Sequence, residues 1–172
     1  MRKSRGFSLI ELLIVVAIIL IIAAIAIPNL LRAKIAANES SAVQSVRTIN
    51  TTQITYQSTY PTVGYAATLQ SLGPSGPACA IPSQTNACLI DWSLSQATTP
   101  ASAKSGYYFG MGVVATNGMN LSYTIGAAPA AFNKTGVRGF CSNSDVVIRS
   151  TPALSGPPAT TEEACSTYVA LQ

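Results

Sequence analysis

The side chains able to do chemistry are few in this chain, and their types narrow what they can do. Histidine is absent from all 172 residues, so no Ser-His-Asp triad, Cys-His dyad or His-ligated metal can be built within it. The four cysteines are Cys79, Cys88, Cys141 and Cys165, and the six carboxylates are Glu11, Glu39, Asp91, Asp145, Glu162 and Glu163. Without histidine or C-x-x-C spacing, a four-thiolate zinc site ranks far below disulfides. An even cysteine number in an oxidising compartment reads as two disulfides, with three connectivities open. Glu162 and Glu163 are adjacent and read as a solvated acidic pair near the tail, since no cleft for paired-carboxylate catalysis is signalled. Asn143-Ser144-Asp145 reads as a turn before a weak calcium loop, because the ligands are few. Gly106, Gly110 and Gly112 lie in a strand-like stretch without the helix a dinucleotide fingerprint needs. No catalytic residue, metal or cofactor is expected.

Glu11 stands apart because of its surroundings. Met1-Arg2-Lys3-Ser4-Arg5-Gly6 carries three basic residues and no acid, and from Leu12 to Ile27 sixteen consecutive residues are apolar. As a helix, Phe7 to Ile27 spans roughly 32 Å at 1.5 Å per residue, enough to cross a bilayer core. The basic cluster should stay in the cytoplasm, which puts everything after Leu31 on the far side. A cleaved secretory signal is the competing reading, with Ala24-Ile25-Ala26 as its cleavage site. The apolar run is longer than such a signal needs, and it holds Glu11. A carboxylate at bilayer depth costs about 2.5–3.5 kcal/mol on insertion scales, so it should have a functional partner.

Gly6-Phe7-Ser8-Leu9-Ile10-Glu11-Leu12 closely resembles the leader junction of type IV pilins and type II secretion pseudopilins. The resemblance implies that a membrane peptidase cuts between Gly6 and Phe7 and methylates the new amino terminus on Phe7. It covers directly about the first 35 residues. Glu11 would then face the Phe7 amine of a neighbouring copy, each buried charge neutralising the other. Such a pair sets register, because unpaired buried charge is costly while many apolar registers are nearly equivalent. N-methylation keeps the amine's positive charge.

Between Gly6 and Gly64 there is no glycine, and Pro28 and Pro61 are the only prolines, which favours one helix from Phe7 to about Tyr60. Pro28 should kink it or allow local melting; the family resemblance adds a segment that unwinds in filaments. Ile35, Ala42, Val43, Val46, Ile49, Ile54 and Tyr60 are the expected inner stripe, with Glu39, Ser40, Gln44, Ser45 and Arg47 between them. Residues 60–105 read as loops. Tyr107 to Thr116 and Met119 to Ile125 read as a hairpin about Asn117-Gly118, the strongest short-range hairpin signal. Val137 to Ser142 and Val146 to Ser150 suggest a second pair. The expected fold is α+β: a long amino-terminal helix packed on an antiparallel head of about four strands, ladle-like as the family resemblance implies. The expected division is a leader 1–6, a membrane and assembly helix 7–31, an amphipathic helix 32–60 and a β-rich head 61–172. Local pairing, Cys79–Cys88 and Cys141–Cys165, is preferred; the second would staple the tail to the last hairpin, as in the disulfide-bounded region of the family.

With 48% hydrophobic and 9% charged residues, a disordered polar chain is excluded. The formal charge of +4 and pI near 9.0 suggest an anionic partner, but losing Arg2, Lys3 and Arg5 would leave seven basic against six acidic residues. Lys134, Arg138 and Arg149 would suit DNA as a patch, although three scattered charges are more often solvated. Tyr107, Tyr108, Phe109, Tyr123 and Phe140 are expected in the core. The leading expectation is a non-enzymatic subunit that polymerises through its apolar helix into a surface filament for motility, adhesion or DNA uptake. It would sit in the inner membrane before assembly and outside the cell afterwards. The resemblance implies as partners a prepilin peptidase/methyltransferase, other copies of the chain, an inner-membrane platform and an ATPase. A secretion pseudopilin is the first alternative; a membrane-tethered binding protein that does not polymerise is the second.

Overall fold

The structure is a computed structural model that describes residues 7–79 and 81–171. The expected leader, Gly6 included, lies outside the described residues. The chain divides between Lys34 and Ile35 into two compact units. One helix, α1 (Leu9–Thr59), contributes to both, and its helical assignment continues through Pro28.

In the first unit α1 carries Leu, Ile, Val and Ala on every side, and these side chains are exposed among the described residues. Phe7 is 77% and Leu9 80% exposed. A helix that is apolar all round belongs in lipid or among other helices, and this stretch is long and apolar enough to cross a membrane.

The second unit is built on a sheet of five antiparallel strands in sequence order: β1 (Tyr107–Thr116), β2 (Met119–Pro129), β3 (Gly139–Asn143), β4 (Ile148–Thr151) and β5 (Val169–Ala170). The β1–β2 turn forms where expected. Asn117 and Gly118 hold φ of +52° and +81°, as a type I′ turn demands. Four strands were expected; the fifth is a two-residue strand from the tail, paired with β4 at Arg149 and Ser150. Short helices α2 (Leu69–Leu72) and α3 (Trp92–Ser95) interrupt the stretch expected to be loops, each opened by a side-chain cap from Thr68 or Asp91.

Side chains alternate across a strand, so the sheet has two faces, and here both are covered. One face (Tyr107, Phe109, Tyr123, Ile125, Phe140, Ile148) packs with Ala42, Val46, Ile49 and Tyr56 of α1 in the main core. On the other face Cys141 meets Ala159, Cys165 and Tyr168 of the tail, which includes α4 (Glu162–Ser166). Covering both faces buries every β3 residue and β2 from Tyr123 to Pro129. The tail lies close because glycines face it. A Cβ on Gly112 would stand 2.1 Å from the Thr160 carbonyl oxygen, and one on Gly126 2.2 Å from that of Ala159. That clearance is the physical use of the β1 glycines.

The inner stripe of α1 differs from the expected one. Glu39, Ala42, Val46, Ile49, Gln53 and Tyr56 are buried at alternating spacings of three and four, with Ser45 and Asn50 beside them. Ile54, expected inside, is 50% exposed. Glu39 and Ser45, read as outward, point in. Helical geometry places i, i+3, i+7 and i+10 on one face; Glu39, Asn50 and Gln53 find partners in the head, while Ser45 donates to the Ser41 carbonyl within α1. Asn50 Nδ2 donates to Ser142 Oγ at 2.9 Å and Asn50 Oδ1 accepts from Tyr123 Oη at 3.0 Å. Gln53 accepts from the Ala66 N–H at 2.9 Å and donates to the Ala66 carbonyl at 3.0 Å.

Candidate functional site

Ser8 is the residue before α1, and its carbonyl accepts from the Leu12 N–H at 3.3 Å. Its own N–H donates to Glu11 Oε2 at 2.9 Å. This is the reaching-back half of a capping box, in which an N3 glutamate satisfies the N-cap amide. A carboxylate in the first turn also favours the positive end of the helix dipole. Glu11 therefore has a local partner within one chain, which the sequence reading missed. The signal was available: Ser8-Leu9-Ile10-Glu11 before an apolar run fits the S-x-x-E pattern. Both Phe7 and Glu11 are exposed, so a neighbouring copy can approach either one.

Pro28 stands inside the same helix, and Arg32 and Lys34, both exposed, end the apolar stretch. The first unit thus presents an exposed aromatic residue at Phe7, one carboxylate, and a long sleeve of exposed aliphatic side chains. Such an arrangement can associate, but it offers no nucleophile and base in register.

In the second unit the cysteines are bonded in two pairs, Cys79 to Cys88 and Cys141 to Cys165. The latter ties β3 to α4, holding the tail over the outer face. Glu39 Oε1 accepts from the backbone N–H groups of Val137 and Arg138, each at 3.1 Å, and Oε2 accepts from Arg138 Nε at 2.8 Å. Burial alone would raise this carboxyl; the Arg138 and Val137 amides and the Arg138 guanidinium outweigh it and hold the pKa below its ordinary value. Asp91 loses some solvation beside its neighbours, which would raise its carboxyl, yet Lys104, Ser93 and the Leu94 N–H bring it down to about 2. Asp145 is lowered chiefly by its hydrogen bonds from Arg149, against partial burial. Each of these shifts favours the ionised form, the opposite of what a general acid at neutral pH needs.

These pairings count against a basic patch, the less favoured of the two readings of Lys134, Arg138 and Arg149. Arg138 is taken by Glu39 and Arg149 by Asp145, so of the three cations Lys134 alone has no ion pair among the described residues. Asp145 does not serve a calcium loop: its oxygens accept from the Arg149 guanidinium and the Val147 N–H, which closes the β3–β4 turn. No group of three or more His, Cys, Asp or Glu suited to a metal occurs among the described residues. Tyr107, Phe109, Tyr123 and Phe140 are buried, with Tyr108 partly so. Burial pushes the Tyr107 and Tyr123 hydroxyls well above their ordinary pKa; they donate to the Arg138 carbonyl and Asn50, respectively. Glu162 and Glu163 are exposed in the first turn of α4.

Residues 1–27 match the family model described as the prokaryotic N-terminal methylation motif. The chain is similar to the type IV wide pilus major component PilA4 of Thermus thermophilus, at 62% identity over 40 residues, covering 23% of this chain and 30% of that protein. It is also similar to the type IV major pilin protein PilA of Myxococcus xanthus, at 49% identity over 51 residues, covering 30% of this chain and 23% of that one. The match thus spans less than a third of either curated relative. No solved structure matches.

Proposed function

We propose that this chain, whose residues 1–27 match the prokaryotic N-terminal methylation motif and which is similar over 40 and 51 residues to two major pilus components, is a type IV pilin-family structural subunit that polymerises into a surface pilus. The observation that carries this reading is the uncovered apolar stretch of α1. Exposed aliphatic side chains on all sides are unfavourable in water at about 25 cal/mol per Å², so the segment needs lipid first and other copies of itself later. Both matched relatives bear the names of major pilus components, which supports a pilus over a secretion pseudopilus.

In this reading a prepilin peptidase removes residues 1–6 and methylates Phe7. The leader charges hold the amino terminus in the cytoplasm and the head faces the periplasm until assembly. An inner-membrane platform and an ATPase drive extraction, and the heads are displayed outside the cell. Glu11 exchanges its Ser8 N–H for the Phe7 ammonium of the next copy, a stronger charge-assisted bond. Pro28, lacking an N–H, marks where α1 can unwind in the filament.

The test is electron microscopy of sheared surface filaments with mass spectrometry of the subunit. The expected mass begins at N-methylated Phe7; a chain still starting at Met1 would overturn the proposal. Glu11→Leu should be processed and stay in the membrane while filament yield falls about tenfold, the scale of one uncompensated charge-assisted bond. A normal yield from that variant would refute the pairing role.

A further inference from the structure

Three ion pairs take up six charged groups of the head, and the groups left unpaired among the described residues include some on opposite faces of the sheet. Glu39, Asp91 and Asp145 each have a cation. Glu162 and Glu163, on the tail side, have none among the described residues. Glu162 feels the field of Arg149, but that guanidinium is already held by Asp145. Among the described residues Lys134, between β2 and β3, and Arg47, on α1, also lack an ionic partner; Arg47 is the only charged residue from Ser40 to Thr59. It is exposed. Arg47 borders an open groove of about 510 Å³ shared with Thr51, Val146, Val147 and Leu171; Val146 and Val147 are 45% and 40% exposed.

The helix face beside Arg47 is built to lose water cheaply. The hydroxyls of Thr48, Thr51, Thr55, Ser58 and Thr59 each donate to the carbonyl four residues earlier, at 2.8–3.1 Å. A polar group is costly to desolvate when it lacks a partner, and these donors already have theirs. Ile54 adds exposed apolar area on the same length of helix.

We propose that the groove at Arg47 receives the Glu162–Glu163 turn of α4 from a second copy of this chain. Two different patches on opposite faces of one sheet form a heterologous contact, which does not close as a two-fold dimer and builds an open helical assembly where its rotation does not close a ring. The opposite charges fix which face meets which and disfavour like faces meeting. This inference rests on the polymer reading and specifies how heads meet within it.

The experiment uses the full chain in cells that assemble it. Arg47→Glu alone, and Glu162→Lys with Glu163→Lys, should each lower sheared filament yield about tenfold. Combining all three substitutions should restore it to within about twofold. Arg47→Cys with Glu163→Cys should yield covalent multimers on a non-reducing gel. All three altered positions, Arg47, Glu162 and Glu163, are exposed, and the rescue by the combination separates a contact between copies from misfolding. Undiminished filaments from Arg47→Glu, unrescued reversals, or no covalent multimers would overturn this contact and leave the polymer reading standing. Absence of filaments from the unaltered chain would overturn both. DNA retention that Arg47→Glu abolishes while filament yield is unchanged would also overturn it, showing nucleic acid to be the occupant.

Discussion

Glu39 is the sharpest place to test how the head grips its helix. Its carboxylate is 6% exposed and accepts three hydrogen bonds from residues almost a hundred positions away in the chain. Glu39→Ala removes all three acceptor contacts. The Arg138 side chain is 46% exposed and can turn to water, so losing the ion pair costs about 0.5–1 kcal/mol. The Val137 and Arg138 amides lie deeper, and each loses about 1 kcal/mol without an acceptor. The expected loss is therefore about 2–3 kcal/mol. Glu39→Gln keeps an uncharged acceptor oxygen for the amides and should cost about 1 kcal/mol. Urea unfolding of the full chain in mild detergent, followed by near-ultraviolet dichroism of the head aromatics, measures both. Folding lowers the Glu39 pKa, so the wild-type advantage over Glu39→Gln is full above the ordinary value of 4.5. It is lost as pH falls through the lower folded value, where the native carboxyl takes up a proton. A Glu39→Ala loss under about 0.5 kcal/mol, or an advantage that grows on acidification, would refute the reasoning.

Further expectations concern the tail. Gly126→Ala places a Cβ against the Ala159 backbone and should destabilise by about 1–3 kcal/mol through overpacking, while Gly76→Ala, with nothing within 4 Å, should be close to neutral; denaturant midpoints compare the two. Replacing Cys141 and Cys165 together by serine frees a tail tethered across 24 residues and should cost about 3 kcal/mol in the chain-entropy account. Limited proteolysis should then cut between Gly156 and Tyr168 first, and unchanged protection there would count against the tail as a structural layer.

Much of the fold is legible locally. β1 has the bounds expected of it because Asn117-Gly118 is a turn whose chemistry lies in two adjacent residues. The extent of α1 follows from the absence of glycine between Gly6 and Gly64, and the helix ends just before Pro61, with Pro28 carried inside it. The inner stripe was misread for a definite reason. Apolar periodicity sets Glu39 between the stripe residues and does not pick out Asn50 or Gln53, and the burial of all three depends on acceptors and donors supplied by the loops and strands of the head. β2 was expected to end at Ile125 and runs to Pro129, since its second half is covered by residues that join it only through folding.

The pattern from Gly6 to Leu31 is a matter of composition and spacing: a basic start, an S-x-x-E cap and an apolar helix are short-range properties, readable without knowing what surrounds them. Which face of α1 turns inward, why Gly112 and Gly126 must be glycine, and which charges are left for a neighbour depend on contacts between distant segments. Those contacts exist because the tail, tied at Cys141 and Cys165, closes one side of the sheet while α1 closes the other. Nothing local in the chain encodes that both sides are covered.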